Sequence, residues 1–273
     1  MSEALDPQSI RAMLGAEVRA ELHALTAATE TISTQADALA APMPAHGCDV
    51  FIADSQTAGH GRHGRAWCSP GGANIYLSIG RRFSADAATL SGLSLVAGIA
   101  TAESLNTICR GGFSREAAYP PPITVKWPND LIADQRKLGG ILVNLQRGEA
   151  GMHAVIGLGI NVCMPTDAGA AIDQPWTDLR MVLGRSPSRR ALIAALLDAL
   201  LPALAEFERS GLAPFLSRWR GLDALAGRPV RVLDGPRVHE GVSAGITDSG
   251  ALRVLSGDVE RVFHGGEVSL RPA

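Results

Sequence analysis

Lysine is almost missing from this 273-residue chain: 23 of its 25 basic residues are arginine, and the two exceptions, Lys126 and Lys137, fall in one stretch, "KWPNDLIADQRK". A basic excess is missing too. The formal net charge is −2, which leaves no electrostatic footprint for nucleic acid. The four cysteines, Cys48, Cys68, Cys109 and Cys163, contain no C-x-x-C pair, so a zinc site or redox dithiol of the usual sequence form is excluded and reduced, mostly buried thiols are expected. The N-terminal "MSEALDPQSIRAMLG" lacks the basic start and apolar run of a signal peptide. No segment reads as long and apolar enough to span a bilayer, since "ALIAALLDALLPALAEF" is interrupted by Asp198 and Pro202. These absences predict a cytoplasmic protein with neither a nucleic-acid nor a membrane partner.

What is present is ordinary globular composition, 46% hydrophobic and 19% charged, in a chain long enough for one large domain and a small satellite. Residues 8–25 read as one or two short helices broken near Gly15, 48–54 as a buried strand, "NIYLSIG" as a second strand, and 89–108 as a helix with small residues on one face. After the break "YPPP", "ITVKW" reads as a strand that ends on Lys126 and runs into the turn "PND". "GGILVNLQ" and "HAVIGLGINV" flank the turn-like "RGEAG" and predict an antiparallel hairpin. A helix is expected from Ser186, with Ser186 as its cap and Pro187 in its first turn; Ile193, Leu196, Leu197, Leu200, Leu204 and Phe207 share its core face. Beyond Gly227 short alternating segments separated by "DGP", "DSG" and "SGD" predict about five strands. The expected domains are therefore 1–226 and 227–273.

The stretch "GHGRHGR", Gly59 to Arg65, sets two guanidinium groups and two imidazoles among three glycines. It satisfies G-x-G-x-x-G literally, but the dinucleotide fingerprint needs a helix at the glycines and an acid some twenty residues on, and here the chain runs through Pro70, Gly71 and Gly72 into a strand. His60 and His63 lack a nearby cysteine or acid to complete a metal set. Physically, glycines let backbone amides approach an anion while arginines close over it, which is a phosphate clamp.

Four ordered motifs, "QTAGHGRHGRAW" at 56–67, "KWPNDL" at 126–131, "KLGGILV" at 137–143 and "GLGINV" at 157–162, together resemble the biotin protein ligase family. "STQ" at 33–35 stands where that family has S-T-N, and "GGEVSLR" at 265–271 resembles its closing strand. The resemblance runs from about residue 25 to the C-terminus. It implies an α+β fold of class II synthetase-like type, a mixed and largely antiparallel central sheet with flanking helices, followed by a small C-terminal SH3-like β-barrel. The 32 residues before Ser33 are too few for the winged helix that some members carry, so a ligase without repressor function is expected.

The implied reaction joins biotin to ATP as biotinyl-5′-AMP and then transfers biotin to a lysine of a carrier, the biotin carboxyl carrier protein of acetyl-CoA carboxylase. No tightly bound cofactor is implied; the substrates are biotin and ATP with magnesium, and both monomers and homodimers occur in the family. Two anions meet in the first step, so cations that screen repulsion and stabilise pentavalent phosphorus are the physical need. By resemblance, Ser33, Thr34, Gln35 and Gln56 serve the ureido ring of biotin, joined by Gly59, His60, Gly61, Arg62, Lys137 and Gly139. Arg62, His63, Arg65, Trp67, Lys126, Asn129, Asn161 and Arg271 serve ATP and the adenylate. Lys137, Arg62, Lys126 and Asp130 form the catalytic set, with Lys137 as first electrophile; Asp130 either holds magnesium or orients the incoming amine. For Asn129 and Asp130 a purely structural turn is the competing account.

Departures matter. His60 and His63 replace arginines, so part of the clamp's charge depends on pH near neutrality. Gln35 replaces asparagine, keeping the amide and lengthening its arm. The competing functions are a lipoate or octanoate ligase or transferase of the same fold, whose Ser-Gly-Gly-Gly signature is not found here, and a non-catalytic biotin or nucleotide sensor, against which intact Lys126 and Lys137 argue.

Overall fold

A computed structural model describes residues 3–111, 120–148, 151–170, 172, 174–265 and 268–272. The N-terminal stretch breaks where expected. Asp6 caps α1 (Pro7–Met13), its carboxylate accepting from the Ser9 N–H at 2.8 Å, and Gly15 separates it from α2 (Ala16–Glu21). The helical reading fails beyond Glu21, because Leu22–Thr31 is strand β1, laid parallel to β2 (Cys48–Gln56) from Leu22 opposite Cys48 to Thr31 opposite Gln56. Pairing with a distant strand outweighs the local spacing. The short helix α3 (Thr34–Ala40), capped by Ser33, was not anticipated either.

β3 (Ile75–Phe83), β4 (Thr124–Lys126), β5 (Asp130–Ala133), β6 (Arg136–Gly148) and β7 (Gly151–Ile160) complete a seven-stranded sheet in the order β1-β2-β3-β7-β6-β5-β4. All its pairings except β1 with β2 are antiparallel. The predicted β6–β7 hairpin is present, although residues 149–150 of its turn, like Tyr119 of "YPPP", lie outside the described residues.

One sheet face is covered by α4 (Leu93–Gly111) and, beyond the short helices α5 (Thr166–Gly169) and α6 (Leu179–Leu183), by the long α7 (Arg189–Ser210). The small-residue face of α4 does what its sequence predicts. A Cβ on Gly98 would stand 3.2 Å from Val125 and 3.4 Å from Ile141, so glycine sets how closely helix and sheet approach. Contrary to the sequence reading that no segment is long and apolar enough to span a bilayer, the helical run Thr89–Gly111, 23 residues, is so by length and composition. Most of its apolar stretch is buried inside the protein, taken up by the sheet and α7, as for a core helix.

Ser188, not Ser186, caps α7. Its Oγ accepts from Ala191 N at 3.2 Å, so Pro187 precedes the helix instead of opening it. Glu3 reinforces that end, accepting from Ser188 Oγ (2.7 Å), Arg189 N (2.7 Å) and Arg190 Nε (2.8 Å). Replacing Glu3 with alanine is expected to lower stability by about 1 kcal/mol, read as a shifted denaturant midpoint with unchanged slope. An unchanged midpoint would show that Ser188 suffices.

After α8 (Leu216–Leu222) come β8 (Pro229–Asp234), β9 (Arg237–Ile246), β10 (Leu252–Ser256), β11 (Val259–Phe263) and β12 (Val268–Pro272). They form a separate antiparallel sheet in the order β11-β10-β9-β8-β12. Trp127, buried at the tip of the β4–β5 turn, donates its indole N–H to Gly250 O at 3.0 Å and so ties the two sheets together. The architecture is α+β, a mixed sheet with flanking helices and a small C-terminal antiparallel sheet.

Candidate functional site

The face of the large sheet opposite α4 and α7 floors a cavity of about 1420 Å³. Strand register decides its floor. Phe51, Ser78, Gly157 and Leu142 lie side by side across β2, β3, β7 and β6, and Tyr76, Gly159, Gly140 and Asp130 form the next row but one, running into β5. Glycines in both rows lower the floor: a Cβ on Gly157 would meet Gln35 Oε1 at 2.3 Å, and one on Gly159 would meet the Trp67 indole at 2.5 Å. The sequence signal was the alternation in "GLG", which places both glycines on one strand face.

At one end α3 brings amides to the floor. Gln35 gives both Nε2 hydrogens away, to Asn144 Oδ1 and Val155 O at 2.9 Å each, and its Oε1 accepts from Ser78 Oγ at 3.0 Å. Thr34 Oγ1 lies 2.9 Å from Ser78 Oγ, and Thr34 N–H donates to Gln56 Oε1 at 2.9 Å. The longer arm of Gln35 is thus accommodated by reaching β6 and β7. Ser78, Asn144 and Gly157 were missed from sequence, since only the register brings them under α3.

At the other end stands a charge triad. Asp130 reaches Lys126 Nζ with Oδ2 at 3.0 Å and Lys137 Nζ with Oδ1 at 2.7 Å, so the chain's only two lysines share one buried carboxylate and the triad carries net charge +1. Lys137 Nζ also lies 5.5 Å from the Trp67 ring centroid. Burial pushes the Asp130 carboxyl upward, but the ammonium groups of Lys137 and Lys126 outweigh it and hold the group below 3.8. Because the folded value is the depressed one, the triad's stabilisation is complete above the unfolded value and is lost as pH falls through the folded one. The stability advantage of the native protein over Asp130→Asn is therefore expected to shrink below about pH 4, measured by denaturant titration across pH 3–6. A constant difference would contradict the assignment.

The arginine–glycine loop folds as a small hairpin over this cavity. Gly61 N–H donates to Arg65 O and Trp67 N–H to Gly59 O, both at 2.8 Å, and His63 and Gly64 turn the tip with φ of 57° and 67°. Arg62 donates to Asn129 Oδ1 at 3.4 Å and to Gly265 O, linking the loop to the β4–β5 turn and to the segment entering β12. Asn129 works as a turn residue as well, since its Nδ2 donates to Ile141 O at 2.8 Å.

Of the residues picked from sequence, Ser33, Thr34, Gln35, Gln56, His60, Gly61, Arg62, His63, Arg65, Trp67, Lys126, Asn129, Asp130 and Lys137 line the one cavity. Three do not. Gly59 sits behind the wall, against Gln56 and Ser69; Gly139 faces the Gly159 carbonyl and Leu131, and Gly140 lines the cavity in its place. Asn161, 3% exposed, spends its Nδ2 on Thr177 O at 3.1 Å, and its Oδ1 has no partner among the described residues. Arg271 lies opposite Arg231 on β12, and its side chain is outside the described part.

A resident metal does not fit these residues. Both Asp130 oxygens pair with ammonium groups, and among the described residues no group of three His, Cys, Asp or Glu side chains is placed to hold an ion.

Residues 30–161 match the model of the Biotin/lipoate A/B protein ligase family, and residues 226–271 that of the Biotin protein ligase C terminal domain. The chain is 43% identical over 227 residues to the bifunctional ligase/repressor BirA of Escherichia coli (strain K12), a match covering 82% of this chain and 67% of that protein. It is 32% identical over 248 residues to the biotin--[acetyl-CoA-carboxylase] ligase of Paracoccus denitrificans, covering 86% of this chain and 98% of that one. Among solved structures, the biotin protein ligase from Aquifex aeolicus in complex with biotin and ATP is similar at a TM-score of 0.75 and 25% identity, over 92% of this chain and 100% of that one.

Proposed function

The chain belongs to the biotin protein ligase family, and from that premise we propose how its cavity carries out ATP-dependent biotin ligation. A biotin carboxylate oxygen attacks the α-phosphorus of ATP and pyrophosphate leaves. A carrier lysine amine then attacks the acyl carbonyl, losing a proton as AMP departs. The observation that carries this reading is the juxtaposition of an amide-lined pocket with the Lys126–Asp130–Lys137 triad in one cavity.

The pocket suits a cyclic urea. With both Nε2 hydrogens engaged, Gln35 has acceptor capacity to offer a ligand N–H, whereas Gln56 keeps one N–H for a ligand carbonyl. The triad's spare positive charge meets the two anions of the first step, with Lys137 bridging the carboxylate and the α-phosphate and Lys126 beside it. Arg62, His63 and Arg65 close over the phosphates, with Trp67 and Asn129 against the nucleotide. Arg271 is assigned to the nucleotide as well, and Asn161, which lies off the cavity with its Nδ2 on Thr177 O, is assigned to hold the chain just after β7 behind it. Magnesium enters with ATP as its counter-ion.

We assign residues 1–226 to the catalytic domain and 227–273 to the C-terminal one, which agrees with β8 opening at Pro229. The proposed acceptor is the biotin carboxyl carrier protein of acetyl-CoA carboxylase; the name of the Paracoccus relative mentions acetyl-CoA carboxylase. The cytoplasm is the proposed compartment, in keeping with four unpaired cysteines.

The test is biotin-dependent pyrophosphate release from ATP and magnesium, run beside lipoate and octanoate, with a purified carrier domain added second. Release with biotin alone among the acids, then label on the carrier lysine, is expected. Release with lipoate or octanoate instead would overturn the substrate, and biotin binding without release would make the protein a sensor.

A further inference from the structure

Gln56 lines the cavity, but its side-chain amide can be placed either way round, and only one way offers a donor to the pocket. Two neighbours decide between them. Thr34 N–H, at 2.9 Å, can only donate, so it demands the amide oxygen. On the other side Gln56 Nε2 lies 3.0 Å from Ser69 Oγ, and Ser69 Oγ lies 3.0 Å from the carbonyl oxygen of Trp67. The single hydroxyl hydrogen of Ser69 goes to that carbonyl, so towards Gln56 the hydroxyl is purely an acceptor. Gly59 keeps the contact open, since a Cβ there would stand 2.7 Å from both Gln56 Nε2 and Ser69 Oγ. Ser69 itself is not among the residues that line the cavity.

We propose that Ser69 is a positioning residue for the biotin site: it fixes the Gln56 carboxamide with its oxygen on Thr34 and a free N–H towards the ligand, and ties that orientation to the base of the arginine–glycine loop. The hydrogen bonds run one way along this path. Trp67 O accepts from Ser69, Ser69 accepts from Gln56, and Gln56 accepts from Thr34, whose hydroxyl meets the Ser78 that serves Gln35. Trp67 N–H in turn donates to Gly59 O at the loop's base. The head-group pocket and the loop are therefore joined through one serine that does not itself line the cavity.

This inference rests on the biotin reading of the pocket. Biotin affinity is measured by titration calorimetry for the full chain, for Ser69→Ala, for Gln56→Ala and for the double variant. Ser69→Ala is expected to weaken biotin about tenfold by leaving an amide N–H without its acceptor, while the KM for ATP and kcat at saturating biotin stay within about twofold. In the Gln56→Ala background the same change should cost nothing further, because a residue acting through Gln56 has nothing left to orient. A merely structural serine would lower the thermal midpoint and add its effect in both backgrounds. Equal biotin affinity for the native protein and Ser69→Ala, or additive losses in the double variant, would overturn the proposal. Failure of the native protein to bind biotin would instead overturn the pocket reading beneath it.

Discussion

Alanine at position 137 is expected to slow biotin-dependent pyrophosphate release by about 10²–10³-fold in a protein that remains folded. The triad explains both halves of that outcome. Lys137 and Lys126 flank one carboxylate, so taking away Lys137 leaves a neutral Lys126–Asp130 pair and removes the spare positive charge from a site where two anions must approach. Its side chain is only 18% exposed, and a charge held in that setting acts through less screening than one on the surface. The fold should survive because the strand is held through its backbone: Lys137 N–H donates to Pro175 O and Thr177 N–H to Lys137 O, both at 2.9 Å. Single-turnover adenylate formation, read beside a thermal melt, separates the two effects. Unchanged turnover would remove Lys137 from the chemistry, and an arginine that fully replaced it would show that bulk charge alone matters.

Gly157→Ala is expected to weaken biotin about a hundredfold, with little change in the nucleotide end of the site. The added methyl would stand 2.3 Å from Gln35 Oε1 and 3.2 Å from its Cδ, so the amide has to leave. Leaving breaks its bonds to Asn144, Val155 and Ser78 and takes the acceptor from the pocket. The backbone itself has no objection, because Gly157 lies within β7, paired with Ser78 and Leu142, away from the positive-φ positions. Gly140→Ala is the comparison: its nearest neighbour would be the Lys137 Cε at 3.6 Å, an ordinary contact. Calorimetry with biotin alone reads the difference. Near-native affinity for Gly157→Ala would mean that Gln35 is not part of the biotin site.

The site was legible in sequence wherever chemistry and motif coincide on adjacent residues. "KWPND", the lysine of "KLGG" and the arginine–glycine loop each announce themselves, and the chain's scarcity of lysine singled out Lys126 and Lys137 before any fold was considered. What stayed hidden was the support behind them. Ser69, Ser78 and Asn144 are ordinary polar residues whose importance comes from what stands opposite, and β1 was misread because its partner, β2, is what makes Leu22–Thr31 a strand. Gly139 and Gly140 show the limit sharply. A strand sends neighbouring residues to opposite faces, and only the register with β7 says that Gly140 faces the cavity.

The sequence by itself determined the family and the α+β class, and it singled out the arginine–glycine loop and the two lysines as candidates, because those properties reside in residue type and local spacing. The tertiary structure alone decided that the two lysines share Asp130, that Gln35 and Gln56 are held in one orientation each, and that Arg62 reaches the segment before β12. These partners lie up to 203 positions apart along the chain, as Arg62 and Gly265 do. Hydrogen bonds and ion pairs at about 3 Å depend on strand register and helix placement, and no local pattern of residues encodes them.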